Sequence, residues 1–162
     1  MSEQKTVRIP QPSQPHPLAG YWSPKDADKL LAWDYVSQRM SEARNYWIAT
    51  TNPDGRPHVV PVWGVWLENT LYFGGSPDTR WSRNLEHSPQ VAVHLDDSDK
   101  AVILEGTVTR LTDPNSEQMR HIDDAYEIKY DMRHGPPIWQ LHLRKVLAWM
   151  TMDTATRWVF ER

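Results

Sequence analysis

Four residues at the head of one short segment carry the strongest chemical signal in this chain. Thr79, Arg80, Arg83 and Asn84 follow a strand-like run and open a helix-like one, with Trp81 among them. A helix start presents backbone N–H groups and the positive end of a dipole, and a guanidinium offers two parallel N–H bonds to a phosphate or carboxylate. The chemistry expected of such a cluster is capture of an anion. The same two arginines also suit plain solvated charges at a helix start, and both readings stay open at this point.

A second set lies upstream, in RPHVVPVWGVW (Arg56–Trp66). Pro61 removes a ladder donor, which places that part of the strand at an edge or a bulge. Backbone groups of Val60, Pro61 and Val62 left outside the ladder could bond a flat heterocycle, and Trp63 could wall or stack on one. His58 carries an imidazole that could pass a proton. A hydrogen-bonding strand residue is the plainer account of it, so no catalytic residue is assigned.

Other chemistries find no pattern. The chain has no Cys, which excludes disulfides, thiolate metal sites and a Cys nucleophile. His94-Leu95-Asp96-Asp97 and His121-Ile122-Asp123-Asp124 repeat a His-x-Asp-Asp pattern. The first ends a strand and the second rides on a helix, so a solvated turn and an exposed helix face account for them and no metal is predicted. There is no Gly-x-Ser-x-Gly elbow, no Gly-x-Gly-x-x-Gly and no P-loop.

The elements that must position these groups follow from periodicity. YWIATT (Tyr46–Thr51), the turn Asn52-Pro53-Asp54-Gly55, the strand at Arg56–Trp66, a turn at Glu68-Asn69 and TLYFGG (Thr70–Gly75) form one sequence of strands. The loop Ser76–Pro89 leads into QVAVHL (Gln90–Leu95) and AVILEGTVTRL (Ala101–Leu111). Strands at this spacing predict an antiparallel meander closing into a small barrel. Val102, Leu104, Gly106 and Val108 share one face, and Gly106 in mid-strand marks a bend or a close backbone approach. Ser23-Pro24-Lys25-Asp26 reads as a helix start, with apolar residues at helical spacing from Ala27 to about Ala43. Asp113-Pro114-Asn115 opens a second helix to about Tyr130, broken by His134-Gly135-Pro136-Pro137. Ile138–Met150 and Thr154–Phe160 read as closing strands. Residues 1–24 form a Pro-rich, extended or flexible arm, and residues 25–162 form one domain.

With 162 residues, 39% hydrophobic content and a net charge of −3, the chain suits one globular domain with a real core. The charge supplies no field for nucleic acid. No apolar run approaches the ~20 residues that span a bilayer, and the N-terminus shows no apolar signal segment, so a cytoplasmic protein is expected. Nine Trp are too many for such a core to bury completely, which predicts that some line a cleft or a subunit seam.

DGRPHVVPVWGVW, LYFGG, TRWSRNLEHSPQVAVHL and VILEGTV, in that order, resemble the pyridoxamine 5'-phosphate oxidase-like split β-barrel family, and VLAWMTMDTATRWVF is similar to its closing strands. The resemblance covers roughly Asp26 to Arg162. It implies a mainly β fold with flanking helices: a six- to seven-stranded antiparallel split barrel, paired as a homodimer with a flavin-type cofactor at the interface. Some members use FMN; a branch of small stand-alone proteins, which this chain resembles more, uses the deazaflavin coenzyme F420.

Position by position, the family's phosphate-gripping Ser-Arg-Lys triplet falls on Thr79-Arg80-Trp81. Hydroxyl and guanidinium are kept, and Trp81 stands where the family has a lysine. Arg83 is the residue that could replace that cation. An Arg and a Lys of the family's second strand fall on His58 and Trp63. The Trp and Arg that the family sends from the partner subunit match Trp149 and Arg157. The oxidase's substrate-binding Arg-x-His motif is absent, so pyridoxine phosphate oxidation is not expected. What remains implied is hydride transfer between F420 or FMN and a small organic substrate, against two alternatives: a non-catalytic protein that binds or sequesters a flavin or haem, and a structural barrel with an occluded pocket.

Overall fold

The computed structural model describes residues 6–15 and 29–161. The chain runs as α1 (Trp33–Glu42), β1 (Asn45–Thr51), β2 (Pro57–Leu67), β3 (Thr70–Gly74), α2 (Arg80–His87), β4 (Gln90–His94), β5 (Val102–Leu111), α3 (Glu117–Tyr130), β6 (Ile138–Ala148) and β7 (Thr156–Val159). The strands stand in the order β3-β2-β1-β4-β5-β6-β7, and a pairing of β3 with β6 closes the first six into an antiparallel barrel. The mainly β split barrel with flanking helices expected from sequence is the fold observed.

Turn chemistry sets the meander. Asn52 and Arg56 close the β1–β2 hairpin, with Gly55 at φ 87°. At the β2–β3 turn both Glu68 and Asn69 take positive φ, 48° and 62°, the geometry that matches the twist of a two-residue hairpin. Alternation then decides what is buried. Tyr46, Ile48 and Thr50 of β1 point inward, as do Val102, Leu104, Gly106 and Val108 of β5. They meet Phe73, Leu141, Val146 and Trp158 in the barrel core. A smaller cluster joins α3 to the outer side of β2 and β3 through Val65, Tyr72, Met119, Ile122, Tyr126 and Tyr130.

Gly106 faces a β-bulge, where Glu105 opposes Lys145 but Gly106 opposes Leu143. A Cβ on Gly106 would sit 2.1 Å from the His142 carbonyl oxygen, so the close approach read from the sequence is real. Pro61 also lies where an edge was expected. β3 pairs with β2 only from Gly64 to Leu67, so residues 57–63 are paired on one side, with β1.

Three expectations need correction. The first helix begins at Trp33, after an extended Ala32, because the amide of Leu31 donates to the buried Thr156 hydroxyl (2.8 Å) on β7 instead of entering a helical ladder. Its expected start at Ser23–Asp26 lies outside the described residues. The helix α3 starts at Glu117, capped by Ser116, whose hydroxyl accepts from the Met119 amide; Asp113 and Asn115 form a turn ahead of it. The last strand begins at Thr156 because Met152–Thr154 wind into a 3-10 turn. Of the arm, residues 6–15 are described. Ser13 pairs with Arg157 through two backbone hydrogen bonds of 2.8 Å, extending the sheet beyond β7. The rest of the arm and its boundary at residue 24 lie outside the described residues.

Candidate functional site

The anion-suited cluster sits where α2 meets β1 and β2. Thr79 caps the helix: its hydroxyl accepts from the Ser82 amide (3.4 Å) and donates to the Ser76 carbonyl (2.9 Å). Thr79 therefore orders the helix start. The first amides of α2 have no intrahelical acceptor, and no acid occupies its first turn. Arg80 and Arg83 are exposed, and neither forms an ion pair among the described residues. The Asp54 carboxyl of the β1–β2 turn is held below its usual range, mainly by its hydrogen bonds from Arg56 and more weakly by the Arg80 charge. The Arg80 charge thus reaches the hairpin turn that precedes β2.

Trp81 turns the other way. It is 6% exposed, packs on Phe73 with ring centroids 5.8 Å apart, and fills the space above Gly75. The indole packs as a core residue, because an amphipathic helix start lying on a barrel must bury one side. Asn84, fully buried, donates to Thr50 (3.0 Å) and Asn52 (2.9 Å) and staples α2 to the end of β1.

The second set lies along the half-paired stretch of β2. Alternation turns the side chains of His58, Val60 and Val62 toward the barrel interior, half-buried to buried, so only their backbone reaches the free edge. Val59, Pro61 and Trp63 point outward; Val59 is 49% and Trp63 38% exposed. The neighbours across this outer face are Ala49 and Trp47 on β1, then Ala92 and His94 on β4. The free edge runs from Pro57, beside the helix start, to Trp63, about 20 Å at strand rise.

At the Trp63 end stands a group that the sequence reading did not find. Trp63 stacks on Tyr130 of α3 with centroids 4.4 Å apart and planes at 3°. Lys129 donates to the Gly64 carbonyl (2.8 Å) and the Tyr46 hydroxyl (2.9 Å). The Gly64 amide donates to the Tyr130 hydroxyl (2.9 Å), and the Tyr126 hydroxyl donates to the Trp63 carbonyl (3.2 Å). Burial, reinforced by the Arg44 charge, pulls the Lys129 ammonium down from its usual 10.5 to about 8. Burial pushes the Tyr46 and Tyr126 phenols well up. The hydrogen-bonded residues lie 63 to 86 positions apart, beyond any local pattern. The only signal in the sequence was a pair of polar aromatic and cationic residues, Lys129-Tyr130, closing a helix.

Trp149 and Arg157 fall elsewhere. Trp149 is half-buried at the end of β6, where its carbonyl accepts from Tyr35 (3.0 Å). Arg157 lies on β7 with its guanidinium on the Ser13 hydroxyl (3.4 Å). No hydrogen bond, ion pair or ring contact among the described residues joins either to α2 or to the free edge of β2. The His-x-Asp-Asp runs are also engaged: Asp96 accepts from the Trp47 indole, and His94 stacks on that ring and donates to the Leu95 carbonyl. No helix among the described residues is long and apolar enough to cross a membrane. Among the eight described tryptophans, Trp81, Trp139 and Trp158 are buried while Trp63 is exposed, so the indoles do divide between core and surface.

A family described as Pyridoxamine 5'-phosphate oxidase matches residues 33–155. No curated protein matches the sequence. A heme binding protein from Mycobacterium smegmatis is similar in fold, with a TM-score of 0.64 at 17% identity over 80% of this chain and 58% of that one. A FAD-binding protein from Mesorhizobium loti aligns with a TM-score of 0.59 at 20% identity over 81% of this chain and 96% of that one. An F420 reductase aligns with a TM-score of 0.52 at 22% identity over 67% of this chain and 94% of that one. At these identities the three establish a shared fold.

Proposed function

The chain belongs to the pyridoxamine 5'-phosphate oxidase family, and from that premise we propose that it is a cytoplasmic, homodimeric oxidoreductase that transfers hydride between F420 or FMN and a small organic molecule. One arrangement supports this above all: an uncommitted Arg80 at a helix start, joined by a half-paired strand edge to an exposed, braced indole at Trp63. The donor set fits the cofactor class. Arg80, the open amides of α2 and Arg83 hold the anionic tail; the backbone of Val60, Pro61 and Val62 meets the ring edge; Trp63 walls the ring. When bound, the ring itself supplies the hydride chemistry. The chain's own groups bind, orient and exclude water, and no proton-transfer residue is required of His58.

Pairing of two copies is supported by the outer face of β2, β1 and β4, where exposed Val59, Pro61 and Trp63 lie beside half-buried Ala49, Trp47 and Ala92 in one mostly apolar surface. Trp149 and Arg157 would reach the cofactor from the second copy.

Arg80→Ala tests the tail site. It should weaken F420 or FMN binding about 10- to 150-fold, the worth of a charged hydrogen bond of about 1.5–3 kcal/mol; an unchanged dissociation constant rules the role out. A second reading, sequestration of a flavin or haem without turnover, is favoured by Trp81, which leaves the tail site one cation short of the family's set. Bleaching of reduced F420 with a panel of enones separates the two: turnover supports the oxidoreductase, and tight binding with no turnover supports the carrier.

A further inference from the structure

We infer that Arg44, at the edge of the Trp63 platform, selects planar molecules bearing an acidic group, so that the substrates of this seam are conjugated carboxylates; this rests on the oxidoreductase reading and names its substrate class. The Trp63–Tyr130 stack covers one face of the indole and leaves the other open. The Arg44 guanidinium carbon lies 5.6 Å from the Trp63 ring centre and 5.3 Å from that of Tyr130. Nearly equal distances to two parallel rings 4.4 Å apart put it beside the stack, so the open face stays clear and a cation stands at its rim.

Arg44 forms no ion pair among the described residues. The acids that share its groove are engaged elsewhere. Asp96 accepts from the Trp47 indole, Asp97 pairs with Arg39 and accepts the Asp99 and Lys100 amides, and Glu42 accepts from Gln38. Behind Arg44 a second cation, Lys129, lies 4.6 Å from the Tyr46 ring centre and 5.1 Å from that of Tyr130, and its hydrogen-bond partners are neutral oxygens. Arg44 and Lys129 are held against three aromatic rings and neither is hydrogen-bonded to a carboxylate among the described residues, so the Arg44 guanidinium keeps its N–H groups for an incoming anion. A flat ring laid on the open indole face brings a substituent at its end to the guanidinium, where a carboxylate accepts two parallel N–H bonds.

The experiment uses the full chain and two probes of one shape, cinnamate and cinnamamide, titrated by ligand-observed NMR. Wild-type protein should bind cinnamate roughly tenfold tighter than cinnamamide, the worth of one charge-assisted contact. Arg44→Gln should bring cinnamate to the cinnamamide level, Arg44→Lys should restore part of the preference, and Trp63→Leu should weaken both probes. Equal binding of the two probes, no binding of either, or a preference that survives Arg44→Gln overturns the assignment. Titration of wild-type protein with F420 and FMN is the separate readout for the cofactor. Cofactor binding without an acid preference defeats the Arg44 role alone, and an acid preference without cofactor binding supports that role while defeating the oxidoreductase reading.

Discussion

Replacing Lys129 by Met probes the clamp that fastens the end of α3 to β2 beneath Trp63. A fall from 10.5 to about 8 means that the fold disfavours the charged ammonium by about 3 kcal/mol before screening. Lys129 keeps part of its surface in water, which reduces the effect to about 1–2 kcal/mol. The sign follows from proton counting. The unfolded chain holds this proton up to about 10.5 while the folded chain releases it from about 8, so the unfolded state binds more protons in between. Stability therefore rises with pH across that window. The raised phenols of Tyr35, Tyr46, Tyr72, Tyr126 and Tyr130 act in the opposite direction, chiefly above their unfolded value of 10 and equally in both proteins, so between pH 7.5 and 9.5 the difference between wild type and variant isolates the lysine. Urea unfolding should show the wild type gaining about 1 kcal/mol between those two pH values, and Lys129→Met gaining under about 0.3. Equal gains in both proteins would refute the clamp as the source of the shift.

Three further substitutions have defined outcomes. Gly106→Ala forces a methyl to within 2.1 Å of the His142 carbonyl at the bulge and should cost about 2–3 kcal/mol in thermal unfolding; a neutral result would mean that the strand is free to shift. Thr156→Val strands the buried Leu31 amide and should cost about 1–3 kcal/mol by urea unfolding, with an unchanged midpoint contradicting that bond. Trp149→Ala should loosen both the dimer, read by sedimentation velocity, and the cofactor; a variant that pairs and binds as the wild type does would remove Trp149 from the seam.

The meander was legible because its signals are local. Alternation in AVILEGTVTRL, the Asn52–Gly55 and Glu68-Asn69 turns, and Pro61 at a strand edge each act within a few residues. The helix start at Thr79 was legible for the same reason, since a cap is a local hydrogen bond. What sequence could not supply was direction and partnership. Nothing near Trp81 says that its ring turns inward onto Phe73. Thr156, 125 positions away, delays the first helix by taking the Leu31 amide. The Trp63–Tyr130–Lys129–Arg44 group depends on α3 folding back across β2, a tertiary event with no spacing rule.

Crystals of the protein grown or soaked with FMN and, separately, with F420 measure the central claim most directly. Electron density is expected for an anionic tail against Thr79 and Arg80, with the ring along residues 60–63 of β2 between two copies of the chain. A monomer in the crystal and in solution, or side chains of a second copy filling that edge in the presence of both cofactors, would contradict it.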